Sequence, residues 1–212
     1  MDGTIINSEE GITKCVQYAL RAKGIDEPDL KKLLCFIGPP LDIMFREKYG
    51  MSEEEAWESV IKYRERYDVK GIYECSLYDG VKETIIGLKE KGYVQAVASS
   101  KPELACKRIL EHFGLLPYFD EVSGSTLDGS VSTKEEVLKE LERRFLHRGI
   151  EKADMCLIGD TKFDAIGAQA FGIRCIGVGY GFGTREELLA AGAEAVFDQV
   201  REVAHYLEED EL

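Results

Sequence analysis

Asp160 and Asp164, in the stretch Gly159-Asp-Thr-Lys-Phe-Asp164, are two carboxylates separated by three residues, placed directly after an apolar run from Met155 to Ile158. Side by side such groups repel unless a cation lies between them. Oxygen-only ligands suit Mg²⁺, which retains waters and takes one or two carboxylates together with a substrate phosphate. Three other fragments add to the set. Asp2, Gly3 and Thr4 precede Ile5 and Ile6; Ser99, Ser100, Lys101 and Pro102 follow the apolar run Tyr93 to Ala98; Lys134 opens a helix after Thr133. Together they supply carboxylates, hydroxyls and one lysine. Each alone has a bland explanation, since Asp-Gly is a common turn, a serine after a strand often caps a helix, and a lysine sits easily in solvent. Their combined order is much more specific than any fragment.

Chemistry of this kind needs elements that bring distant fragments to one edge. From Asn7 to about Tyr73 the pattern is helical, with no convincing strand: Asn7 followed by Glu10 is a start signal, and Ile12, Cys15, Val16, Ala19 and Leu20 share one helical face. Pro28 and Pro40 suit first-turn positions, Ser52 with Glu55 has capping-box form, and Gly50 and Gly71 can terminate helices. From about Leu77 short apolar runs alternate with helix-length segments. The predicted strands are Tyr93 to Ala98, Phe119 to Ser123, Met155 to Ile158, Cys175 to Val178 and Ala195 to Phe197, with helices from about Val81, Pro102, Thr133, Phe163, Thr184 and Gln199. Repeated strand-helix units imply an α/β fold with a parallel sheet covered on both faces. Ligands then bind at the carboxyl ends of the strands, where the fragments above fall.

The 212 residues can bury one core plus a small satellite. A net charge of −13 repels nucleic-acid backbones and anionic lipid, so nucleic-acid and membrane-surface roles are not expected. No apolar run approaches the ~20 residues of a membrane helix, and MDGTIINSEE lacks the segments of a signal peptide, so a soluble cytoplasmic protein is expected. The six cysteines form no CxxC pair and read as free thiols, several of them buried.

With these motifs in view, the sequence resembles the haloacid dehalogenase superfamily of phosphohydrolases, in particular its phosphoglycolate-phosphatase-like and 5′-nucleotidase-like branch with a helical cap. The likeness covers nearly the whole chain and includes IGPPL at Ile37 to Leu41, LYDGV at Leu77 to Val81, SSKPE at Ser99 to Glu103, GDTKFD at Gly159 to Asp164 and GYGFGTREEL at Gly179 to Leu188. The resemblance implies a Rossmann-like core, residues 1–8 and 77–212, with a small all-helical cap, residues 9–76, inserted after the first strand. It implies that Ser99 and Ser100 bind the substrate phosphoryl group and that Lys134 neutralises its charge. Asp160 and Asp164 would organise Mg²⁺, and Asp2 would act as general acid and base with its backbone carbonyl on the metal. The implied ligand is a small phosphorylated metabolite.

One departure stands out. The family's first motif is DxDGT at the end of an apolar strand, and its first aspartate is the nucleophile; Met1 occupies the x position. The nucleophile and the first core strand would therefore precede Met1, and a chain without them is expected to be impaired. A non-catalytic phosphate-binding or regulatory relative is the competing reading. Phe45, Tyr49, Trp57, Tyr63 and Tyr67 read as packing, Arg46 and Lys48 as surface residues, and His112, His147 and His205 as surface residues that the chemistry does not need.

Overall fold

A computed structural model describes residues 1–126, 131 and 133–209. Two units emerge from the contacts: a core of Met1, Gly3–Ile6 and Leu77–Leu212, and a helical unit of Asp2 and Asn7–Ser76. The chain forms a two-residue strand β1 (Ile6–Asn7), which pairs with a second short strand, β2 (Ser76–Leu77). These were not among the predicted strands, and at two residues each they carry no periodicity to read.

In the helical unit, α1 (Glu9–Ala22) starts where the Asn7 side chain accepts from the Glu9 N–H at 3.0 Å, and Glu9 and Glu10 stand at the positive end of its dipole. The expected face of Ile12, Cys15, Val16, Ala19 and Leu20 is buried in full. A 3₁₀ turn (Leu30–Phe36) leads to α2 (Leu41–Tyr49), which Gly50 ends in the left-handed conformation, as expected. In α3 (Glu53–Tyr67) the Ser52 and Glu55 side chains cap each other's backbone N–H groups, again as expected.

Three details differ from the sequence reading. Pro40 stands one residue ahead of α2 at its N-cap, and Pro28 precedes Asp29, the residue that caps the 3₁₀ turn by accepting from the Lys31 N–H. Gly71 does not end a helix: α3 stops at Tyr67, and Gly71 opens a short turn, Gly71–Tyr73. Its lack of a side chain serves packing, because a Cβ there would meet the Cys15 Sγ at 2.3 Å, while one on Gly11 would meet the Gly71 carbonyl oxygen at 2.1 Å. Phe45, Tyr63 and Tyr67 are buried, whereas Trp57 is half exposed, with the Arg64 guanidinium 5.7 Å from its ring centre.

The core unit runs α4 (Val81–Glu90), β3 (Ala96–Pro102), α5 (Glu103–His112), β4 (Glu121–Ser125), α6 (Lys134–Phe145), β5 (Cys156–Gly159), α7 (Lys162–Phe171), β6 (Arg174–Val178), α8 (Arg185–Ala190), β7 (Ala195–Phe197) and α9 (Val200–Glu209). β3 pairs in parallel with β4, and β5, β6 and β7 form a second parallel ladder with β6 in the middle. Alternate residues of β6 point to opposite faces. Cys175 joins Leu138, Leu157, Ala165, Phe171 and Leu188 under α6, α7 and α8; Ile176 joins Leu88, Val203 and Leu207 under α4 and α9. Both faces are thus covered, which is why the strands read as short unbroken apolar runs.

The first two of these strands begin later than predicted. Tyr93 is spent closing α4, its N–H donating to the Leu88 carbonyl, and Val94 is exposed, so pairing starts at Ala96. Phe119 likewise closes the 3₁₀ turn Leu116–Tyr118, its N–H donating to the Leu116 carbonyl. The cysteines are free thiols, with Cys15, Cys106 and Cys175 buried. No helix among the described residues is long and apolar enough to cross a membrane.

Candidate active site

The carboxyl ends of β3 and β5 converge through a continuous chain of contacts. β5 delivers Asp160, which is 2% exposed. Its Oδ1 accepts from the Thr4 hydroxyl at 2.9 Å and its Oδ2 from the Phe182 N–H at 3.0 Å. One turn on, Asp164 in α7 accepts through Oδ2 from the Thr161 N–H and hydroxyl, at 3.1 and 2.9 Å, which tethers the start of the helix. Its Oδ1 lies 2.8 Å from the Lys134 Nζ. Lys134 also donates to the Ala98 carbonyl at 3.0 Å, so a single ammonium joins the end of β3 to the start of α7.

Lys134 is held there by local chemistry. Thr133 and Glu136 form a reciprocal capping box that fixes the first turn of α6, and the Ser123 hydroxyl of β4 donates to the Val137 carbonyl in the same helix. α7 comes close enough because residue 167 is glycine: a Cβ there would lie 2.5 Å from the Lys134 Cβ.

β3 adds the hydroxyls. Its register with β4 shifts between Ser99 and Pro102, so the strand bulges at the serines, a geometry that re-aims side chains at the end of a ladder. Ser99 is buried and its hydroxyl accepts from the Lys101 N–H at 3.2 Å, while Ser100 is exposed. Asp2 is partly buried and groups with the helical unit, although its chain neighbours Met1 and Gly3 belong to the core.

Electrostatics separates the two buried carboxylates. Burial and the charge of Asp164 push Asp160 up to about 6, against the Phe182 N–H, the Met1 amino group and the Thr4 hydroxyl, which favour the ionised form. Asp164 is just as buried, but the Lys134 ammonium holds its carboxyl below the usual range. Among the described residues no three His, Cys, Asp or Glu side chains gather closely enough to form a metal centre by themselves. Asp160 and Asp164 are the two side-chain carboxylates of the expected metal set, in which Asp2 contributes a backbone carbonyl. Each Asp160 oxygen accepts one hydrogen bond and keeps a second lone pair, a donor set that fits Mg²⁺ completed by waters and phosphate.

A family model, haloacid dehalogenase-like hydrolase, matches residues 1–178. The chain belongs to the haloacid dehalogenase-like hydrolase family. It is 44% identical over 190 residues to a 5′-nucleotidase of Pseudomonas aeruginosa, covering 90% of this chain and 85% of that protein. Over 213 residues it is 27% identical to a phosphoglycolate phosphatase of Photobacterium profundum, with 94% and 89% covered. A predicted phosphatase from Clostridium acetobutylicum superposes with a TM-score of 0.91 at 42% identity, over 99% of this chain and 95% of that one. As a haloacid dehalogenase-like hydrolase with such relatives, the protein is a phosphatase.

Within this family member the structure brings Ser99, Lys134, Asp160 and Asp164 together. Reading the sequence overlooked the parts that cradle Asp160. A Cβ on Gly181 would lie 2.3 Å from the Asp160 Cβ, and one on Gly3 would lie 1.8 Å from its Oδ2. The alternating glycines of Gly179-Tyr-Gly-Phe-Gly183 were the available signal, since spacing of this kind marks close backbone approach. Arg46, Lys48, His112, His147 and His205 are all exposed.

Proposed function

We propose that the protein is a Mg²⁺-dependent phosphomonoesterase that hydrolyses a small phosphorylated metabolite through an aspartyl-phosphate intermediate, and that the helical unit is the cap of the family. The observation that carries the reading is the Lys134–Asp164 pair at 2.8 Å, anchored to the Ala98 carbonyl beside Ser99 and one turn from Asp160. A lysine, a hydroxyl and two carboxylates thus meet at the strand ends.

In this reading Ser99 and Ser100 hold the phosphoryl oxygens and Lys134 neutralises charge on them as the transition state spreads negative charge over the group. Asp160 and Asp164 would hold Mg²⁺, which supplies electrostatic stabilisation of the phosphoryl oxygens when bound. The nucleophilic carboxylate belongs one residue ahead of Met1, on a strand that would pair between β3 and β5. Attack by that carboxylate on phosphorus forms an acyl phosphate and breaks the ester bond, and Asp2 protonates the departing oxygen. Water then attacks the phosphorus and Asp2 accepts its proton, which releases phosphate and regenerates the carboxylate.

Among substrates, a nucleoside 5′-monophosphate comes before phosphoglycolate, on the strength of the 44% identical relative named for that class. The test uses a version extended N-terminally by an apolar strand ending in Asp-Met. Mg²⁺-dependent phosphate release from p-nitrophenyl phosphate and from a nucleoside 5′-monophosphate, abolished by Asp160→Asn, supports the proposal. Binding of these phosphates without turnover would instead support the non-catalytic reading.

A further inference from the structure

Tyr180 lies between the glycines that cradle Asp160, and its hydroxyl donates to the Thr4 carbonyl at 2.9 Å. Its ring is fixed against that of Tyr78, with centroids 4.7 Å apart and planes tilted by 48°. Thr4 in turn donates its own hydroxyl to the Asp160 Oδ1. The segment that carries Thr4 is a tight turn: the Ile5 and Ile6 N–H groups both donate to the Met1 carbonyl, and the Gly3 N–H donates to the Ile6 carbonyl. These bonds close the turn on itself, and the Tyr180 bond ties it to the loop after β6. That loop also supplies the Phe182 N–H, the donor to the other Asp160 oxygen.

We infer that Tyr180 is a positioning residue for Asp160, acting through Thr4 so that one loop orients both carboxylate oxygens, directly at Oδ2 and by relay at Oδ1. A carboxylate is a useful ligand only when its oxygens are aimed, and partners in the outer shell of metal ligands typically change affinity by about 10- to 100-fold. Tyr180 stands one step further out, so its effect falls at or below the lower end of that range. The inference rests on the proposed role of Asp160 as a Mg²⁺ ligand only in its consequence for the metal.

Tyr180→Phe keeps the ring on Tyr78 and removes one bond. In the full chain without metal, amide exchange followed by NMR should quicken roughly three- to tenfold at Phe182, Ile5 and Ile6, the scale of one lost hydrogen bond, with α1 and α9 unchanged. Wild-type rates at those three amides overturn the inference. Thr4→Val removes the hydroxyl end of the relay and keeps the carbonyl that Tyr180 reaches; in Mg²⁺ affinity the double variant should lose less than the two single variants combined, and additive effects count against a shared path. In calorimetric titration with Mg²⁺ alone, Tyr180→Phe should weaken binding by about 3- to 10-fold. Unchanged Mg²⁺ affinity in Tyr180→Phe, beside loss of binding in Asp160→Asn, overturns the inference. Should Asp160→Asn leave Mg²⁺ binding intact, the metal reading fails, while quickened exchange at the three amides still upholds the positioning.

Discussion

The Lys134 Nζ lies 2.8 Å from the Asp164 Oδ1, and both side chains are about nine-tenths buried on neighbouring helices. Removing one partner of such a pair leaves an uncompensated buried charge, which typically costs ~3–5 kcal/mol. Lys134→Met is therefore expected to lower the unfolding free energy by about that amount near pH 7. The sign of the pH dependence should also change. In the wild type Asp164 is held low, so its contribution is present above the ordinary carboxylate pKa and fades on acidification. Without Lys134 burial dominates and acid should stabilise. Urea unfolding in chelator of Lys134→Met and its parent, both carrying Asp160→Asn so that residue 160 does not titrate, checks both points when followed from about pH 2.5 to pH 7.5.

Asp160 makes the opposite contribution in the metal-free protein. Burial and the Asp164 charge raise it to about 6, so between the unfolded value and that point the folded state binds the extra proton. Stability must then fall as pH rises through this window and stay lower above it. Asp160→Asn removes the ionisation and should flatten this fall, making the chelated variant more stable than the wild type at pH 7.5. Thermal melts across pH 4 to 8 in both proteins would expose the difference, and equal slopes would contradict it.

Asp120 works the other way. Burial opposes its charge, but Lys89, Arg148 and the Gln95 N–H overcome burial and hold the carboxyl at about 2. A folded value below the unfolded one stabilises above the unfolded pKa and is lost as pH falls toward 2. Asp120→Asn should cost about 1–2 kcal/mol at pH 7 and nothing measurable at the acid end, read from denaturant midpoints at fixed slope.

Glycine substitutions separate packing from propensity. Replacing glycine by alanine within a helix gains up to about 1 kcal/mol. Gly87 in α4 has open space around it and should show that gain on Gly87→Ala. Gly11→Ala in α1 gains the same propensity but drives a methyl to 2.1 Å from the Gly71 carbonyl oxygen, which backbone must move to relieve. Overpacking of that kind costs ~1–3 kcal/mol, so this variant should be less stable than the wild type. Matched chemical denaturation of the two variants tests the opposite signs.

Local signals in the chain were reliable where the cause was local. The Ser52–Glu55 box, the Gly50 cap and the buried face of α1 all followed from residues within two helical turns of one another. The first strand edges were misplaced because Tyr93 and Phe119 are apolar for a different reason, closing the turns before β3 and β4. Gly71 was misread because its glycine is demanded by Cys15, which is distant in sequence and adjacent only after folding.

The candidate site divides along the same line. Residue types and their order announced two carboxylates, hydroxyls and a lysine at the ends of parallel strands, because strand-helix alternation and charge placement are written within short windows. Folding alone decided the partners: Asp164 with Lys134, and Asp160 with Thr4, 156 positions away, and with the Phe182 N–H. Periodicity tells each segment which face to bury and is silent on which distant segment will cover it. Hence two aspartates that look alike in the chain end with carboxyls shifted in opposite directions, one beside an ammonium and the other beside a like charge.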